Sequence, residues 1–105
     1  MSAPDPGDWL RRAQEMQQRL GALQRDLARR TVEASAGGGL VTVTATGELR
    51  VLAISIDPQL LAGGDREMLQ DLVAAAVNAA LGQAQRIVQE EMQRATGGFQ
   101  LPGPP

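Results

Sequence analysis

Residues 31–56 read TVEASAGGGLVTVTATGELRVLAISI, and this stretch decides the fold. It contains three runs in which small or β-branched apolar residues alternate with polar ones, the pattern of half-buried β-strands. Glycines separate the runs, so each connection is expected to be a tight turn. The sequence therefore predicts a three-stranded antiparallel meander. The three predicted strands are residues 31–35, 40–46 and 49–56.

A long helix is predicted after the strands. Asp57 and Pro58 end the third strand, because Asp can cap a short helical turn and Pro fits its first position. After a glycine pair, Asp65 is the expected N-cap of a helix that runs to about Ala95. Its alanine-rich centre allows close packing on the sheet. We expect Asn78, the polar residue in that centre, to be a buried amide that sets register rather than a ligand contact.

A second long helix is predicted before the strands, about 22 residues in length with Asp8 as its N-cap. Its apolar residues form a narrow seam at heptad spacing, which predicts a partner helix lying along it as a coiled coil. We expect the distal half of the C-terminal helix to be that partner, so that an antiparallel pair projects from the sheet. The seam residues are Trp9, Ala13, Met16, Leu20, Leu23 and Leu27.

The 105-residue chain has the length of one small domain. We expect a flexible segment over residues 1–8, one domain over residues 9–95 and a flexible Gly/Pro-rich tail over residues 96–105. The N-terminus has no signal-peptide pattern. The longest apolar run, residues 73–77, is too short to cross a bilayer. We therefore expect a cytoplasmic protein.

The predicted core is thin, since 43% of the residues are hydrophobic but only 2% are aromatic. Three strands alone are marginally stable and leave exposed edges. A small domain of this kind commonly gains stability by oligomerisation. We expect a homodimer.

Most catalytic and metal sites are excluded by composition. The chain has no Cys and no His, which removes the usual zinc and copper ligands and the usual bases for a serine nucleophile. Every basic residue is Arg, so a phosphate-binding loop with its Lys is also excluded. We predict no enzymatic activity, no cofactor and no metal.

Charge is distributed unevenly around a net value of −2. Residues 8–30 hold six arginines against three carboxylates, whereas residues 65–95 hold three arginines against five. Taken singly, each arginine of the first helix fits a solvated face with local ion pairs, such as Glu15 with Arg12 or Arg19. Taken together, the arginines of the two subunits of a dimer would form two basic stripes, one on each first helix, and guanidinium groups bind phosphate well.

Five segments in order resemble the YbaB/EbfC family of nucleoid-associated proteins over nearly the whole chain. They are AQEMQ (13–17), GGLVTVT (38–44) with Gly47, IDPQLL (56–61), EMLQDLVAAAVN (67–78) and GFQLP (98–102). The resemblance implies an α+β fold, with α-β-β-β-α subunits that dimerise through the sheet into a tweezer-like dimer with projecting helical arms. It also implies location in the nucleoid, binding to double-stranded DNA with low or modest sequence preference, an altered DNA conformation and effects on gene expression.

The predicted DNA contacts are arginines near the free ends of the two helices and along the first. Phosphate contacts of this kind position a protein on DNA without reading its sequence. Nearer the sheet, Arg29 and Arg30 are predicted to line the floor between the arms. The alternative is a dimeric coiled-coil scaffold whose arms bind a protein. Genes of the family often lie near recombination-repair genes, so the resemblance suggests a recombination or repair protein as that partner. The predicted phosphate contacts are Arg11, Arg12, Arg19, Arg25, Arg86 and Arg94.

Overall fold

The computed structural model describes residues 6–97 and gives the predicted order of elements with one short helix added. Residues 1–5 and 98–105, where most of the two predicted flexible ends fall, lie outside the described residues. The helix that was expected to begin at Trp9 begins at Pro6. The elements are α1 (Pro6–Arg29), β1 (Thr31–Ala36), β2 (Val41–Thr46), β3 (Val51–Ile56), α2 (Pro58–Ala62) and α3 (Arg66–Ala95).

The three strands form one antiparallel sheet in the order β1-β2-β3, which confirms the predicted meander. Val43 of the central strand pairs with Ala34 on one side and Ile54 on the other. A bulge between Thr44 and Ala45 shifts the register toward the end of β3. The α+β fold class predicted from the sequence is confirmed.

The core lies between α3 and one face of the sheet. Ala76, Ala80 and Ala84 are buried in α3 at four-residue spacing, facing Val41 and Val43, which are fully buried in β2. Alanine at these positions lets the helix backbone approach the strands closely. Helix α3 lies over β1 and β2 and leaves β3 largely uncovered.

Asn78 is exposed on α3, so the prediction that its amide is buried is wrong for the single chain. The helix-capping predictions for the second half of the chain are confirmed. The Asp57 carboxylate accepts a hydrogen bond from the Gln59 N–H at 2.8 Å, and that of Asp65 from the Met68 N–H at 3.0 Å. Asp8 lies in the first turn of α1 rather than before it, so its predicted N-cap role is wrong.

Gly47 joins α1 to the sheet. Its N–H donates to the Arg30 carbonyl at 3.0 Å, and a Cβ at this position would collide with the Leu27 carbonyl. The side chain of Val88 lies 3.2 Å from the same point, so α3 meets the junction as well. Only glycine allows the end of α1, the β2–β3 turn and α3 to come this close. The direction in which α1 leaves the sheet is fixed here.

The molecule is elongated. Its radius of gyration is 20.9 Å and its longest extent is 76 Å, whereas a compact chain of about 100 residues has a radius of gyration of about 13 Å. The extra length comes from α1, whose 24 residues span about 36 Å and extend away from the sheet. No helix within residues 6–97 is both long enough and apolar enough to span a membrane.

Candidate nucleic-acid interface

Helix α1 divides into a covered half and a free half. Leu27 is buried, and Leu20 and Leu23 are half-buried where the end of α3 runs back alongside α1. Every residue from Pro6 to Arg19 is exposed. The predicted antiparallel helix pair therefore forms only in the half near the sheet. The other half projects as a single helix because α3 ends at Ala95.

A shared carboxylate holds the two helices together where they pair. Glu91 Oε1 lies 3.7 Å from Nη1 of Arg30 and 3.0 Å from Nη1 of Arg94. Arg94 therefore lies beside the half of α1 near the sheet, whereas Arg11 lies about 28 Å from Arg30 along the helix axis. The sequence-based prediction grouped Arg94 with Arg11 at the free end of the arm. The structure separates these two residues. Arg86 lies two turns earlier on α3, nearer the sheet, and is exposed.

No arginine of α1 makes an ion pair with a residue of the described range 6–97. Within residues 6–97 the side-chain ion pairs are Arg30–Glu91, Arg94–Glu91 and Arg50–Glu48. The local pairs expected between Glu15 and its arginine neighbours do not form. Exposed guanidinium groups with no carboxylate partner are available to an external anion. The arginines in this state are Arg11, Arg12, Arg19, Arg25 and Arg29.

The five arginines of α1 form two rows. At about 100° per residue, spacings of 7, 11 and 18 residues return a side chain to nearly the same face of a helix. Arg12 and Arg19 therefore lie on one face, beside the apolar seam, and Arg30 follows directly after the helix. A second row, on the side opposite the seam, consists of Arg11, Arg25 and Arg29.

An acidic row separates the two arginine rows. Asp8, Glu15 and Asp26 recur at spacings of 7 and 11 residues, so they share a face as well. That face lies between the rows. Since these carboxylates reduce the local positive potential, the helix presents two narrow basic strips rather than one broad basic surface. Each strip is suited to one line of phosphates.

Glu91 is the residue at this interface that the sequence did not single out. Its i,i+3 spacing from Arg94 is a recognisable helix ion-pair signal. Its contact with Arg30 depends on where α3 meets α1, and no local pattern predicts that. Glu91 engages two of the eight predicted DNA-contacting arginines, so it lowers their availability to an external anion.

Comparison with known proteins identifies relatives of the whole chain. Residues 3–99 match the model of the YbaB/EbfC DNA-binding family. A protein from Pelotomaculum thermopropionicum, named a nucleoid-associated protein, is 47% identical over 94 residues, which are 90% of each chain. A protein of the same name from Moorella thermoacetica is 56% identical over 81 residues, 77% of this chain and 78% of that one.

The fold is also found in a solved structure. A crystal structure of an uncharacterized protein from Helicobacter pylori superimposes with a TM-score of 0.72 and 20% sequence identity. The match covers 90% of this chain and all of that one. At this level of identity the likeness establishes a common fold.

Proposed function

The chain belongs to the YbaB/EbfC DNA-binding family, and we propose that it is a nucleoid-associated protein whose projecting α1 arginines bind the phosphates of double-stranded DNA. The family is a DNA-binding family rather than an enzyme family. The observation that carries the proposal is that all five arginines of α1 are exposed and make no ion pair within residues 6–97. They line a helix that extends beyond the globular part of the molecule.

Guanidinium groups suit this task because their planar N–H donors match the oxygens of a phosphate. Neutralising phosphates releases the counterions condensed on DNA, which supplies affinity even for a protein whose net charge is −2. The basic strips therefore matter more than the overall charge. Binding of this kind positions the protein without reading bases, so we expect low or modest sequence preference. An arm lying against the duplex can alter the DNA conformation and thereby affect gene expression.

We propose a homodimer that joins through the sheet. The accessible surface of the chain is 8160 Å², against roughly 5,700 Å² for a compact monomer of its mass. Part of the excess is an apolar strip on and beside the uncovered strand, where Leu49, Val51, Leu52 and Ile54 are between 39% and 58% exposed. An exposed apolar strip on an edge strand is typical of a protein interface. A second subunit covering it would add a second arm.

Double charge reversal at the free end of α1 tests the DNA proposal. Arg11→Glu with Arg12→Glu is expected to abolish binding to a labelled duplex in a fluorescence anisotropy titration at low salt, with dimerisation unchanged. The matched control is Arg50→Glu with Arg66→Glu, which changes the net charge equally at exposed positions away from the arm. Equal loss in both variants would indicate a bulk charge effect and would contradict recognition by the arm.

The second candidate is a scaffold whose arms hold a protein, for which a recombination or repair protein is the partner suggested by the resemblance. The uncovered apolar seam at the free end of α1 favours this candidate, since Trp9 and Met16 are 72% and 39% exposed. A scaffold of this kind would retain partner binding in the Arg11→Glu, Arg12→Glu variant. We place DNA binding first because unpaired arginines outnumber carboxylates on the same arm. We expect the protein to be located in the nucleoid, in the cytoplasm.

A further inference from the structure

The distal seam, defined as Trp9, Ala13 and Met16, is an apolar surface with nothing packed on it among residues 6–97. Trp9 is 72% exposed and Met16 39% exposed. With Arg12, these side chains line an apolar groove of about 450 Å³. The same seam is covered one turn farther along, where Leu20, Leu23 and Leu27 meet α3. The apolar stripe of α1 thus extends beyond the end of α3.

The chain leaves α3 at the point where this covering stops. The Leu27 carbonyl and the Val88 side chain both adjoin Gly47, so these two residues lie at the same level of the helix pair. Eight residues later, Thr96 lies about 12 Å farther along, level with about Leu20. Thr96 is half-buried, and its hydroxyl donates to the carbonyls of Met92 at 3.1 Å and Gln93 at 3.0 Å.

Residues 98–105 follow directly and are long enough to reach Trp9. From the level of Leu20 to Trp9 is eleven residues of α1, or about 16 Å. Eight extended residues span up to about 26 Å. The segment can therefore run the length of the distal seam with residues to spare.

The chemistry of this segment matches the groove. Its sequence is GFQLPGPP, which has no charged residue, so it can lie beside Arg12 without repulsion. Phe99 and Leu101 alternate with Gln100, so an extended segment can turn both apolar side chains to one side. Pro102 restricts the residue before it, Leu101, to extended backbone, and the prolines that follow can pack on an aromatic surface. Trp9 supplies such a surface.

We propose that residues 98–105 dock on the distal seam of α1 and continue the covering that α3 begins. The occupant is then a part of the same chain rather than a protein partner. Arg11 and Arg25 lie on the opposite side of α1, so a docked tail leaves that arginine row open. The proposal does not depend on DNA binding: although Arg12 borders the groove, the shielding of Trp9 is a property of the free protein.

Trp9 provides the test, since it is the only tryptophan of the chain. Acrylamide quenching of its fluorescence in the full chain without DNA measures how far the indole is shielded. We expect a shielded, blue-shifted Trp9 that becomes freely quenched, with red-shifted emission, in the Phe99→Ser, Leu101→Ser variant and in a chain that stops at Gly97. The matched control is Gln100→Ala, which is expected to leave quenching unchanged.

Two further readings complete the test. Far-UV circular dichroism of each variant is expected to be unchanged, because the altered residues lie after α3. Quenching measured over a wide range of protein concentration separates the tail from a second copy of the arm. A freely quenched Trp9 in the unaltered chain would overturn the proposal. Shielding that depends on concentration and is insensitive to the tail substitutions would also overturn it and would assign the seam to a second copy.

Discussion

Val43 and Ile54 are register partners on the same face of the sheet, yet Val43 is fully buried and Ile54 is 44% exposed. The difference arises because α3 lies over β1 and β2 and stops short of β3. Strand β3 therefore presents apolar side chains that α3 does not cover. The proposed second subunit would cover them.

The substitution Ile54→Asp is expected to convert the dimer to a monomer. A carboxylate buried without a partner in an interface costs about 3 kcal/mol or more, which is roughly a hundredfold in the dimer Kd. Sedimentation velocity over a concentration series measures this change. The control is Ser55→Asp, on the opposite face of the same strand, which is expected to leave the dimer intact. Unchanged association of the Ile54→Asp protein would contradict dimerisation through this strip.

Gly47→Ala is expected to destabilise the fold and loosen the attachment of α1. The added Cβ collides with the Leu27 carbonyl, and backbone cannot move aside as a side chain can. Overpacking of this kind costs about 1–3 kcal/mol in the free energy of unfolding, measurable by urea denaturation. Gly82→Ala is the control and is expected to raise the free energy of unfolding. Its Cβ would enter open space within α3, and alanine is more favourable than glycine in a helix by about 1 kcal/mol. Equal stability of the two variants would show that the junction is not tightly packed.

Glu91→Gln is expected to strengthen DNA binding. The substitution removes the carboxylate that engages both Arg30 and Arg94 and leaves their guanidinium groups available. Each arginine recruited to a phosphate steepens the dependence of log K on log salt by about 0.9. Anisotropy titrations at several salt concentrations give this slope. The control is Glu90→Gln, which changes the charge equally at an exposed position with no ion pair within residues 6–97. An equal gain from both variants would exclude a specific role for Glu91.

Much of the fold is predictable because it is encoded in local patterns. Alternation over residues 31–56 defines the strands, and Asp57 and Asp65 cap the two helices that follow them as expected. The start of α1 was misplaced because Asp8 is a suitable cap by residue type, whereas the helix continues through it to Pro6. Such signals identify an element more reliably than they locate its end.

The distribution of burial is not local and was not predictable in detail. The seam of α1 has one continuous heptad pattern, but only the part from Leu20 onward is covered, because the length and direction of α3 decide where the pairing stops. Likewise, the sequence of β3 does not reveal that Ile54 faces solvent while its partner Val43 does not. Gly47 reads as a turn residue, and only the assembled structure shows the close approach that requires glycine.

Composition and charge distribution identify the arginines, whereas their contacts with other elements are seen only in the structure. Helical spacing alone separates them into two rows with an acidic row between. The tertiary contact of Glu91 with Arg30 is what places Arg94 beside the half of α1 near the sheet. Which of these arginines touch DNA stays a prediction.

The salt dependence of binding to a labelled duplex, measured by anisotropy with the unaltered full chain, tests phosphate recognition by the α1 arms most directly. If Arg11, Arg12, Arg19 and Arg25 of two arms each contact a phosphate, log K falls with log salt at a slope of about −7. That result would support recognition of the DNA backbone by the arms. Absence of binding even at low salt, with the dimer verified in the same preparation, would contradict DNA binding by the arms and favour a protein-binding scaffold.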